Sequence, residues 1–203
     1  VNLDLAQLAA IAAALGWASG LRLYAVVFLT GAAGHLGWIA LPAGLQLLQH
    51  PVVLAASFVL FAAEFVADKI PGIDTLWDAV HTVIRIPAGA ALAAGVFGGD
   101  SAAWALVAAL MGGTLAATAH AAKATTRAAV NTSPEPLSNV ALSLAGDAAV
   151  PALLWLAWTH PLWFWPALAV AVVIALVLIV VLFRFLRTLW RRFAGPDPQG
   201  AGA

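Results

Sequence analysis

Cysteine is absent from this chain of 203 residues. That excludes disulfides, iron–sulfur clusters, thiolate metal sites and cysteine-linked lipids. Charge is scarce as well: acids and bases make up 9% of the residues, nine of each sign, and cancel. No basic tract is interleaved with aromatics, so nucleic acid is not an expected partner. Catalytic patterns are missing: the chain carries no HExxH, GxSxG or Walker motif and no Ser–His spacing suited to nucleophilic attack. Neither an enzyme, nor catalytic residues, nor a cofactor, nor a resident metal is expected. The opening stretch, VNLDLAQLAAIAAALG, lacks the positive n-region of a signal peptide and is not expected to be cleaved.

What the chain has is apolar surface, 64% hydrophobic residues with a mean hydropathy of +0.99. So much apolar surface needs lipid as its solvent. A crossing takes roughly 20 apolar residues for about 30 Å of hydrocarbon. The expected fold is therefore an all-α polytopic transmembrane bundle of about six crossings, with broken, re-entrant or amphipathic segments. It forms one membrane-embedded domain over residues 1–194, followed by a disordered tail at 195–203. Candidate spans cover 21–41, 51–68, 102–122, 137–158 and 163–183, and a polar-faced segment from Asp74 runs on to Asp100. Residues 5–16 are short and interrupted by Gly16 and Ser19–Gly20, which predicts an interfacial or re-entrant helix, or half of a broken one. Pro42–His50 reads as a loop.

Arg184, Arg187, Arg191 and Arg192 close the last span, and the positive-inside rule then places the C-terminus in the cytoplasm. Counting back, the loops at 42–50, 98–101 and 159–162 fall outside, and none contains Lys or Arg. Trp155, Trp158, Trp163 and Trp165 cluster about the last of these turns, where headgroups meet water.

The remaining charges gather on four segments. Glu64, Asp68 and Lys69 end one span, before the breaker Pro71–Gly72. Asp74, Asp78, His81 and Arg85 fall at i, i+4, i+7 and i+11, on one helical face. His120, Lys123 and Arg127 share another face, and Asn139, Ser143 and Asp147 a third. Between these two, Ser133 before Pro134 fits a helix N-cap. Asp147 lies ten residues beyond Leu137, about 15 Å into its span, where a carboxylate must be neutral, paired or facing water. The ordinary reading makes these groups loop and snorkelling residues, with Asp74–Arg85 as the wet side of an interfacial helix. The functional reading turns them inward as a polar vestibule, open to the cytoplasm and tapering to Asp147.

On that reading the expected function is a small transporter or flippase-like protein for an anionic, phosphate- or carboxylate-bearing solute. Arg22, Lys69, Arg85, His120, Lys123 and Arg127 would recognise the anion with Asn131, Ser133 and Asn139. Glu64, Asp68, Asp74, Asp78, His81 and Asp147 would balance charge or couple movement to protons. Two alternatives stand beside it. One is a cation-handling protein built on the carboxylates, although Lys69 and Arg85 crowd such a site. The other is a scaffold whose polar core only locks helices together. Expected partners are the bilayer, an unidentified small solute, lipid headgroup or ion, and a second copy of the chain.

The strings GLRLY, FVADKIPGIDTLWDAVHTVIR, AHAAKATTRAAVNTSPEPLSNVALSLAGD and WLAWTHP occur in that order. Together they resemble the bacterial integral-membrane family named domain of unknown function 4126, over roughly residues 16 to 190. The resemblance implies a small polytopic protein of a bacterial inner membrane and assigns no activity. It also implies an acid where this chain has Gly146, which would lower the charge beside Asp147.

Overall fold

Small residues decide which helix occupies the middle. In the computed structural model, which describes residues 3–98, 101–132 and 136–193, the helix α1 (Leu5–His35) begins with an alanine-rich arm whose residues Ala10–Gly20 are all buried. An arm apolar on every side belongs inside a bundle, and alanine and glycine let the neighbouring backbones close on it. A Cβ on Gly16 would come within 2.5 Å of Gly112 Cα, and one on Gly20 would collide with the carbonyl of Ala116. The interfacial placement expected for residues 5–16 is therefore replaced by a central one, as the first half of a broken helix. Gly16 and Ser19–Gly20, expected as interruptions, are instead the contact surface of that arm.

The interruption lies at Arg22, whose backbone is extended (φ −149°, ψ 82°). There α1 doubles back. Leu5 and Leu8, from its start, share a 390 Å³ cavity with Leu41, Phe97 and Trp104. A straight helix of 31 residues would be roughly 46 Å long, more than the few residues after His35 could retrace. The second arm ends at His35, short of the 41 expected, and Gly31 packs on Leu48 in a short 3-10 helix, Ala43–Gln49, where a loop was expected.

The other elements are α2 (Pro51–Ala67), α3 (Ile73–Phe97), α4 (Ala102–Val130), α5 (Pro136–Thr159) and α6 (Pro161–Phe193). Among the described residues there is no strand. Five helices are long and apolar enough to cross a membrane, and a sixth span results if the 3-10 helix and α2, bent by 70°, count as one. The chain is thus a multi-pass, all-α membrane protein. Gly72, at φ 87°, makes the tight turn from α2 into α3, a conformation that favours glycine. α3 continues without interruption from its polar start through Pro87, so Asp74–Arg85 is the base of a span and not an interfacial helix.

The two ends of the bundle differ. Gln7 at the start of α1 donates to the carbonyl of Trp158, which places the turn into α6 beside the 36–50 and α3–α4 connections. Trp163 (72% exposed) and Trp155 (59%) project outward at that turn. The opposite end collects the charges. The tail expected at 195–203 lies outside the described residues.

Candidate functional site

Four of the charged side chains reach the same place because their helices end or break there. Asp68 caps the C-terminus of α2, Asp74 lies in the first turn of α3, Arg127 in the last turn of α4, and Arg22 at the reversal of α1. The break leaves the carbonyl of Leu21 exposed to the charged end, and Lys123 Nζ donates to it at 3.1 Å. A cation at a helix C-terminus meets the negative end of the backbone dipoles.

The ion pairs form one connected ladder. Arg85 binds Glu64 at 2.6 Å and Asp78 at 2.8 Å. Lys123 bridges Asp78 (3.1 Å) and Asp68 (3.0 Å), and Arg127 reaches Asp68 (3.1 Å) and Asp74 (3.2 Å). Arg22 joins Asp68 (2.6 Å) to Asp147 (2.8 Å), and Lys69 closes the ladder on Asp147 at 3.2 Å. Glu64, Asp68, Asp74 and Arg85 are 0% exposed. Burying an ion costs several kcal/mol, which only direct pairing and hydrogen bonds offset. These groups therefore turn inward on one another, as expected, and their direct pairing fills the place where an open polar vestibule was expected.

The order of depth also differs from expectation. Asp147, taken from the sequence as the deepest acid, has 17% of its side chain exposed, whereas that of Asp68 has none. Depth along one helix does not show which neighbours cover a side chain. Lys69 is the other accessible member; its ammonium lies 3.0 Å from the centre of the Phe65 ring and also reaches Ser143.

The two histidines are set by their donors. Arg85 Nη1 donates to His120 Nδ1 (3.1 Å), so the His120 proton is on Nε2 and goes to Thr82 Oγ1 (2.7 Å). The Thr82 hydroxyl in turn donates to the Asp78 carbonyl. His81 has the opposite tautomer: Nδ1–H donates to the Trp77 carbonyl (2.8 Å), and Nε2 accepts from Tyr24 (3.1 Å). Among the described residues, His81 thus stands beside the ladder without an ion pair.

Asn131 donates to the Asp74 carboxylate at 3.1 Å and so serves an acid, not an open anion site. Among the described residues, nothing hydrogen-bonds to either amide atom of the buried Asn139, to Glu64 Oε2 or to Arg85 Nε. Ser133 lies outside the described residues. The site residues that sequence reasoning left out are Ser143, whose hydroxyl and carbonyl both accept from Arg22, together with Tyr24 and Thr82. Ser143 had a signal, its shared face with Asp147; Thr82 had none.

Beside the ladder is a cavity of 540 Å³ between α1, α4, α5 and α6. Arg22, Lys123, Arg127 and Ser143 form one end, and Trp17, Leu153 and Ala171 line the rest. No carboxylate lines it: Asp68, Asp78 and Asp147 stand behind the bases. Among the described residues, no three His, Asp or Glu side chains are arranged to hold a metal ion.

No curated protein and no solved structure matches the chain significantly. A family model does, over residues 9–187, a range that includes every member of the ladder and the whole cavity. The chain belongs to the family described as domain of unknown function DUF4126.

Proposed function

We propose that this protein is a small membrane transporter, flippase-like in build, that handles an anionic group at Arg22 in a step coupled to protonation of Asp147. In this reading it carries its solute and does not transform it. The observation that supports it most is the position of Arg22. The guanidinium is at a helix break, is shared between two carboxylates and forms part of a cavity wall. Broken helices with charge at the break are how transporters bind ions within a bilayer. Protonating Asp147 would release Arg22 Nε and Lys69 Nζ together, offering two donors to an arriving anion. The partial exposure of Asp147 and Lys69 gives protons and solute a route to this end of the ladder.

The arginines at the end of α6 follow the cavity-lining residues Ala171–Leu178 toward the charged end. By the positive-inside rule that end would face the cytoplasm of a bacterial inner membrane.

A second reading has an observation of its own. The ladder holds five acids and five bases, each base paired, as expected of a core that only locks helices together. One experiment separates the two. Proteoliposomes with a trapped pH dye are given phosphate, acetate and short-chain lipid phosphates in turn. The transport reading expects anion-dependent proton movement in wild type and at least a tenfold loss in Asp147→Asn, with the melting temperature lowered by only a few degrees. Silence in both proteins, with a much earlier melt in the variant, would leave the structural reading in place.

A further inference from the structure

The cavity beside Arg22 has more apolar wall than a water-soluble anion needs. From Ser143 to Leu153 along α5 is ten residues, about 15 Å, and beyond the basic end the wall is alanine, leucine, isoleucine and tryptophan. Such a wall offers a hydrated ion no hydrogen bonds. The volume, 540 Å³, lies within the range of roughly 300–1,000 Å³ typical of sites that enclose an organic ligand. The cavity also reaches the lipid-facing surface. Ile174 lines it and is 53% exposed, on the same helix as the outward-facing Val170, Val173 and Val177.

The geometry points to a lipid phosphate as the substrate class of this site, reached sideways from the bilayer past Ile174. Its phosphate would sit against Arg22, Lys123 and Ser143, with one hydrocarbon chain along Leu153 and Ala171. Charge supports this assignment once Asp147 takes a proton: Arg22 then loses one of its two carboxylates, and a guanidinium beside an ammonium suits a phosphate better than a neutral headgroup. The inference rests on the anion-transport reading and narrows it from any anion to one attached to a chain.

Gly146 offers a way to fill the cavity without replacing a charged residue. A Cβ there would meet only Arg22 Nε, at the ordinary contact distance of 3.8 Å, so a larger side chain projects into open space. The test is a thermal-shift titration of the full chain in maltoside detergent with three probes: didecanoyl phosphatidic acid, didecanoyl glycerol with the same chains, and inorganic phosphate. Wild type should be stabilised by phosphatidic acid at concentrations at least tenfold below those of either control. Gly146→Phe should need at least tenfold more phosphatidic acid while eluting as wild type. Ala149→Phe, on the same wall, replaces it if that variant fails to fold.

Equal potency of inorganic phosphate would overturn the lipid assignment and leave the anion reading intact. Equal potency of didecanoyl glycerol, or no response to either phosphate, would overturn both. An undiminished response in folded Gly146→Phe and Ala149→Phe would remove the ligand from this cavity.

Discussion

The two halves of this bundle are held together by opposite means. Toward the uncharged end, α1, α3 and α4 meet mainly through glycine and alanine, with Gly16 on Gly112 and Gly89 on Ala116 and the small side chain of Ser19 beside them. Toward the other end, the same helices and α2 and α5 meet through arginine, lysine and carboxylates, largely buried except at Lys69 and Asp147. Lipid explains why both solutions occur. With hydrocarbon outside, apolar contact gains little over contact with lipid, so helices associate by close backbone approach or by satisfying polar groups. The first solution tolerates no added volume, and the second tolerates no unpaired charge.

Three tests would break or sharpen that contrast. The largest effect is expected in the small-residue half. Gly20→Leu drives a side chain into the Ala116 carbonyl and the Ala119 methyl, which the backbones cannot yield without separating. Loss of a monodisperse peak in size-exclusion chromatography is the expected result; a wild-type profile would show that α1 and α4 are not closely packed. Next comes the ladder. Arg85→Met leaves Glu64 buried without its partner, a change that costs about 3–5 kcal/mol for a buried pair. Adding Glu64→Leu should restore most of that in chemical denaturation, because Asp78 keeps Lys123. If the double variant is no better than the single, Arg85 does not owe its place to Glu64. The smallest effect is at Gly146, in a helix interior facing the cavity. Gly146→Ala should gain about 0.5–1 kcal/mol from reduced backbone freedom. A loss would mean that the cavity wall closes further than its geometry indicates.

Much of this contrast was legible in the order of residues. The i, i+4, i+7, i+11 row of Asp74, Asp78, His81 and Arg85 has to share a face in any helix, and all four are buried together on α3. The joining of four polar segments also follows, because hydrocarbon solvates none of them. Other features were misread for identifiable reasons. Gly16 and Ser19–Gly20 look like breakers when taken alone, yet the helix runs through them because α4 lies directly against them. Arg22, an ordinary helix former, is where the chain reverses, and nothing local announces it. Asp147 was ranked deepest by counting along α5, whereas its exposure depends on Lys69 from the α2–α3 turn and Arg22 from α1.

The sequence by itself determined the solvent, the helical class, the membrane family and the set of charged groups that must find partners. Those properties follow from composition, from a period of 3.6 residues and from the cost of charge in lipid, which act along the chain. Tertiary structure alone decided that the alanine-rich arm is central and that α1 reverses at Arg22. It also decided that Asp68 takes three bases while Asp147 keeps a path outward, and that an apolar cavity opens beside the basic end. These depend on how closely separate helices approach one another, which small residues permit but do not specify.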